Sequence, residues 1–299
     1  MTRPDPAVTV IIPTLGLRER AASLRIAIGS ALEQTGVTTT VLVILNGPAR
    51  DPGVEHELRD NVRITLVVRD ACGLPAALAV GRAMVRTPWF STLDDDDLYL
   101  PGALQLRVRA LEEHPECAAA ITNGYLRAGS CDTLHVKGGH RIHTDPVRAM
   151  LDRNWCLPGS WMCRTSMVCV DVFEGMPSYL ECTYLALRIA SAHPVVWIDT
   201  PTVVYNVGSP LAQSLSRAYV LGQVSALRRI VELNLPGDVR AAFRARIASA
   251  YHAAADHERN AGALLEACRW HVASMLQRSG WRYASFTRHL VRDALRVRP

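Results

Sequence analysis

Apolar, β-branched runs alternate with helical patterns along the first 120 residues, and this alternation restricts the fold more than any other feature. VTVIIPT (8–14) has the composition of a buried strand and runs into Pro. Residues 18–34 follow as a helix, with Leu24, Ile28, Ala31 and Leu32 along one stripe. TTTVLVILNG (38–47) and RITLVV (63–68) give a second and a third strand, residues 74–86 an alanine-rich helix, and WFSTLD (89–94) a fourth strand. Pro101 opens a helix carrying Leu104, Val108 and Leu111, and CAAAIT (117–122) is a further strand. Strands separated by helices pair in parallel, so the predicted class is α/β. In such sheets ligands lie beyond the carboxyl ends of the strands. Three of these ends carry polar residues: Thr14, Asn46-Gly47 and the run Asp94–Asp97.

The remainder is less regular and then strongly helical. Residues 123–150 read as loop, rich in Gly and His, and 154–208 as a mixed stretch with one helix at about 180–192. Beyond Pro210 the pattern is helical over 212–233, 237–257, 260–278 and 282–296, which places a domain boundary between 1–209 and 210–299. Charge divides the same way. The net +5 is made of 14 Arg against 6 acids in 210–299, and 19 cations against 22 acids before them. With 49% hydrophobic and 20% charged residues, a largely disordered chain is excluded. No apolar run approaches the roughly 18–20 residues of a membrane span, and the six-residue run near the N-terminus is too short for a signal-peptide core. The expected location is therefore cytoplasmic. Eight cysteines without a CxxC pair are expected to be mostly buried thiols.

STLDDDDLYLPGAL (91–104) carries the clearest chemistry. Four consecutive carboxylates repel one another and need compensation at the end of a buried strand. A hard divalent cation supplies it, with phosphate oxygens as further ligands; an acidic helix N-terminus is the plainer alternative. His135, His140 and His143 near Cys131 have spacings that match no standard structural zinc site. Trp155 and Trp161, in and beside CLPGSWMCR (156–164), are candidates for stacking on a sugar ring or for the core.

Together these segments resemble the nucleotide-sugar-dependent, inverting glycosyltransferases of family 2, which have the GT-A fold. The resemblance rests on VTVIIPT and its helix, VLVILNGPARD, GLPAALAVGRAMVRTPWFSTLDDDD, LYLPGAL and, more weakly, YLECTYLALRIA (179–190). It implies a GT-A α/β domain (a Rossmann-like, mostly parallel sheet flanked by helices) with a helical C-terminal extension. It also implies that Pro13 and Thr14 lie against the nucleotide, that Asn46 falls where an acidic residue usually reads the base, and that Asp94 and Asp96 form the Asp-x-Asp pair. Asp96 is then the metal ligand, with Asp94 nearer the sugar or sharing the metal and Asp95 beside the nucleotide. The metal would be Mn²⁺ or Mg²⁺, the donor a nucleotide-diphosphate sugar with UDP the family tendency, and the acceptor a hydroxyl of a saccharide or secondary metabolite.

Departures from the family fall on the acceptor side. Glu181-Cys182 stands where Glu-Asp is usual, which leaves Glu181 as the candidate base because a thiol is mostly protonated at neutral pH. Leu78-Ala79 replaces Arg-Asn, with Arg82 one turn on, and Tyr205-Asn206-Val207-Gly208 replaces a Tyr-Arg-x-His pattern. Two rivals therefore stand beside the transferase: a non-catalytic nucleotide-sugar-binding scaffold, and a nucleotidyltransferase or nucleotide-sugar hydrolase. The basic tail has three readings, namely peripheral contact with an anionic membrane, cover for the first domain, or a homodimer interface. Nucleic acid is not an expected partner, since no recognition motif is present.

Overall fold

The computed structural model describes residues 5–70, 73–207 and 216–296. Cys72, Gly208, Pro210, Arg298 and the boundary drawn at 209 lie outside the described residues. The chain forms two compact units, Met1–Met176 with Glu181–Gly208, and Pro177–Leu180 with Ser209–Pro299.

The first unit is built on a nine-stranded sheet. Its strands are β1 (Ala7–Thr14), β2 (Thr38–Asn46), β3 (Ile64–Arg69), β4 (Trp89–Thr92), β5 (Leu98–Tyr99), β6 (Ala119–Ala128), β7 (Cys131–Leu134), β8 (Trp161–Arg164) and β9 (Val195–Asn206). They lie in the order β3-β2-β1-β4-β8-β6-β9-β5, with β7 added to β6. β1 takes the centre of the first half because it is apolar on both faces: Val8, Val10, Ile11 and Ile12 have no exposed surface. It pairs in parallel with β2 and β4, and β2 in parallel with β3. The second half is mixed. β8 runs antiparallel to β4 and β6, whereas β9 is parallel to β6 with register shifts around Asn123.

Helices α1 (Ala21–Leu32), α2 (Pro52–Asp60), α3 (Leu74–Met84), α4 (Ala103–Glu113) and α7 (Glu181–Ala192) accompany these strands. Asp51 caps α2 by accepting from the N–H groups of Gly53 and Val54, with Pro52 at the first helical position. A Cβ on Gly81 of α3 would stand 2.5 Å from Ile11 Cγ2, so this helix seats on β1 with no room for a methyl group.

Two expectations are corrected, those for residues 123–150 and for the cysteines, and the two readings of Trp155 and Trp161 are decided in favour of the core. Residues 123–150 are not mainly loop: β6 continues to Ala128, β7 follows, and two short helices, α5 (His140–Thr144) and α6 (Pro146–Asp152), complete the stretch. Trp155 and Trp161 are core residues, 1% and 4% exposed; the indole N–H of Trp155 donates to the Pro146 carbonyl and Trp161 packs edge-on against Phe90. Neither offers a face to a sugar. Of the seven described cysteines only Cys117, Cys156 and Cys163 are buried, and Cys131 and Cys169 are exposed.

The second unit is helical: α8 (Arg217–Val231), α9 (Gly237–Asn260), α10 (Leu264–Met275) and α11 (Thr287–Arg296), with a 3₁₀ segment at Gly280–Phe286, where the sequence pattern resumes as helix from 282. The 3₁₀ turn follows a tight approach, since a Cβ on Gly280 would fall 2.1 Å from the Ser274 carbonyl oxygen. Buried Glu258 pairs with Arg217 at 2.6 Å and ties α9 to α8. Among the described residues, no helix is long and apolar enough to cross a membrane.

The Gly81 seat gives a direct test of the helix–strand packing. Gly81→Ala should destabilise the chain by about 1–3 kcal/mol in urea unfolding. In an Ile11→Ala background the same change should cost less, because the clash is gone; equal costs in both backgrounds would place α3 elsewhere.

Candidate functional site

Parallel pairing carries the ends of β1, β2 and β4 to one edge of the sheet, so Pro13, Thr14, Asn46 and the acidic run meet there. Pro13 is buried within β1. The Leu93 N–H donates to the Ile11 carbonyl at 3.0 Å, extending the strand contact by one residue. The chain then reverses in a turn whose Asp97 N–H donates to the Asp94 carbonyl at 3.2 Å. Asp is favoured at the first position of such a turn.

The four carboxylates have different surroundings. Asp95 is 3% exposed and points inward: the Thr14 hydroxyl donates to its Oδ2 at 2.5 Å, and Arg20 Nη1 sits 3.0 Å from its Oδ1. Thr14 Oγ1 in turn accepts from the Gly16 N–H at 3.0 Å, which fixes the turn after β1. Arg20 also donates to Asp96, so one guanidinium bridges two carboxylates. Asp97, 1% exposed, accepts at Oδ1 from the Asn206 N–H at 2.9 Å, while the Asn206 side chain donates to the Asp96 carbonyl. Its other oxygen, Oδ2, is buried without a hydrogen-bond partner.

Asp94, Asp96 and Asp97 each offer an oxygen, and the three lie within 4.8 Å of one another. Burial pushes Asp94 up to about 7, reinforced by Asp96, Asp95 and Glu181. Burial raises Asp97 well above the usual carboxylate range with Asp94 adding to it, and raises Asp95 against the pull of Arg20 and Thr14. A buried, unpartnered carboxylate oxygen beside carboxyl groups that resist ionisation is a donor set suited to a hard divalent cation. Among the described residues no other group of three or more His, Cys, Asp or Glu side chains could hold a metal ion, so the His135, His140, His143 and Cys131 stretch forms no such site. The His135 ring bonds instead with the Asn154 carbonyl.

Glu181 opens α7, and its charge adds to the raising of Asp94. Tyr179 and Leu180, just ahead of α7, hold left-handed φ values of 68° and 56°, a conformation that costs non-glycine residues about 1–2 kcal/mol each. The hydrogen bond shared with Cys156 and removal from solvent raise the Cys182 thiol well above its ordinary value, so it stays protonated. Tyr205 lies in the same field: burial, Asp94 and Asp97 raise its phenol. Asn46 Nδ2 donates to the Gly73 carbonyl at 3.0 Å, leaving Oδ1 buried with no donor. Arg82 is not free for a phosphate, because its guanidinium donates to the carbonyls of Val168 and Thr165 and lies over Phe90.

Arg20 and Asn206 complete the site and are missed by motif reading. Arg20 belongs to LGLRER, whose two arginines are equivalent in sequence; Arg18 is exposed and Arg20 turns inward.

The raised carboxyls fix the sign of a pH effect. The folded Asp94 carboxyl keeps its proton to about pH 7, and the unfolded one loses it near 3.8. Its contribution is therefore fully present below about pH 4 and is lost as pH rises through 7. In EDTA, Tm should fall over this window by a few degrees. Asp94→Asn should flatten the profile and excess Mn²⁺ should restore Tm at pH 8; an unchanged slope in the variant would assign the effect to other groups.

Comparison with known proteins agrees with this arrangement. Residues 9–139 match the family described as Glycosyl transferase family 2. A protein from Rickettsia bellii (strain RML369-C), called an uncharacterized glycosyltransferase, is 31% identical over 124 residues; the match spans 40% of this chain and 17% of that protein's length. Among solved structures, S. aureus TarS 1–349 in complex with UDP-GlcNAc superposes with a TM-score of 0.57 at 13% identity, covering 87% of this chain and 75% of that one. The same fragment with UDP gives 0.54 at 15% identity with the same coverage. At such identities the likeness is one of fold, and that fold is GT-A. The segment 9–139, which holds most of β1, the acidic turn and most of the sheet edge between them, is the part of the chain that is similar to glycosyl transferase family 2.

Proposed function

We propose that the protein is a metal-dependent, inverting glycosyltransferase that moves a sugar from a nucleotide-diphosphate sugar to a hydroxyl acceptor. The observation that carries this reading is the turn at Asp94, Asp96 and Asp97, three carboxylates within 4.8 Å at the ligand edge of a GT-A sheet, one of them with a buried unpartnered oxygen. The TarS fragment of the same fold binds UDP-GlcNAc, which supports a UDP-sugar donor.

Asp94, Asp96 and Asp97 would hold Mn²⁺ or Mg²⁺, which when bound supplies Lewis-acid stabilisation of the departing diphosphate. Thr14 and Pro13 bound the nucleotide side of the site, and Asp95 holds the Thr14 hydroxyl in place. Asn46 Oδ1 is an acceptor in want of a donor and suits an N–H of the base. Glu181 takes the proton of the acceptor hydroxyl as its oxygen bonds to the anomeric carbon; the bond to the diphosphate breaks on the opposite face, inverting configuration. Cys182 is protonated and takes no part in that transfer.

Calorimetric titration with UDP, dTDP, GDP and CDP, each with Mn²⁺ and with EDTA, tests the donor side. One diphosphate should bind with a metal requirement, and Asp96→Asn should weaken it by tenfold or more; binding indifferent to EDTA would remove the metal from the reading. Glu181→Gln should keep donor affinity within about twofold while transfer and donor hydrolysis drop by two orders of magnitude or more. Metal-dependent binding with no turnover in the wild-type chain, over a panel of acceptors, would favour the non-catalytic scaffold.

A further inference from the structure

The C-terminal helices bear an outer surface that the glycosyl-transfer reading leaves unused. Nine large apolar side chains are exposed among the described residues, and six of them fall between 265 and 295. Leu265, Val272 and Leu276 are 67%, 58% and 80% exposed, and their i, i+7, i+11 spacing sets them within about 40° of one another around α10. Trp281, 76% exposed, follows in the 3₁₀ turn. α11 has the same division. Leu290 faces inward, 5% exposed, and the 2.6 Å pair of Arg259 with Asp293 ties the helix to α9. Val291 and Leu295 face solvent beside Arg288 and Arg292 in a shallow open groove.

A helix that only covers a protein core turns its apolar stripe inward and polar groups outward. Here both α10 and α11 present apolar rows outward as well. The charge accompanying these rows is net positive: residues 264–299 carry seven arginines against Glu266 and Asp293. Apolar side chains flanked by cations, with a Trp at the margin, are the composition that seats in the headgroup region of an acidic membrane. A second copy of the same face would instead set arginines against arginines.

We infer that this outer face of α10, the 3₁₀ turn and α11 docks on an anionic phospholipid bilayer, lying on the surface without crossing it. The inference uses no residue of the acidic site and stands independently of it. The test uses the full chain with vesicles of phosphatidylcholine alone and of phosphatidylcholine with phosphatidylglycerol. Cosedimentation should occur with the second kind only and weaken as salt is raised. Leu276→Ser with Trp281→Ser should lower the partition coefficient by tenfold or more, with an unchanged circular dichroism spectrum. Acyl-chain brominated lipids should quench part of the tryptophan emission, and Trp281→Phe, which keeps the ring and the fold, should remove that part. No binding to phosphatidylglycerol vesicles overturns the inference. So does quenching that is the same in Trp281→Phe, or a vesicle-indifferent dimer that the double variant dissociates, which would make a second copy the occupant.

Discussion

Four adjacent carboxylates at the end of a buried strand make an electrostatic problem, and much of the first unit is arranged around it. Arg20 reaches from the turn after β1 to two of them, Thr14 donates to one, and the last residue of β9 supplies a backbone N–H to another. Even so, Asp94 is driven to about 7 and an oxygen of Asp97 is left without a donor. The protein's own groups neutralise the cluster only in part. A fold that could have placed apolar residues here and gained stability keeps a costly arrangement instead, which is the usual mark of a position held for chemistry.

The parallel half of the sheet was legible because burial on both faces writes itself into a strand as an unbroken apolar run. VTVIIPT, TTTVLVILN and WFST need no partner to be recognised. Once parallel pairing is inferred, the gathering of Thr14, Asn46 and Asp94 at one edge follows from topology alone. Periodicity has no hold on the stretch after Thr122. β7 is a four-residue, mostly exposed strand with little apolar content, and α5 and α6 are too short to show a stripe. At Trp155 and Trp161 the sequence leaves stacking and core both open, and the fold selects the core: Trp161 lies on β8 between β4 and β6, and the Trp155 indole bonds to the Pro146 carbonyl.

The contacts that finish the acidic turn were illegible for another cause. Arg20 meets Asp96 across 76 residues, and Asn206 meets Asp97 across 109. Nothing in the local pattern sets Arg20 apart from Arg18, and Asn206, which shows in sequence only as a departure from Tyr-Arg-x-His, meets Asp97 through its backbone N–H; the value of both lies in where the fold delivers them. Cys182 shows the converse. The thiol's inertness was readable from its ordinary chemistry, and the Cys156 contact strengthens that conclusion.

The span from Asp97 to Asn206 also bears on how the chain is made. A ribosome delivers residues in order, and β9 is the last strand of the sheet to emerge. Until it inserts between β6 and β5, the backbone N–H that holds Asp97 does not exist in place, and the turn must stay hydrated and open. The earlier strands can pair while the site is still unsealed. Completion of the acidic turn is therefore a late event in folding, coupled to the closure of the second half of the sheet, and contacts of such sequence separation form slowly.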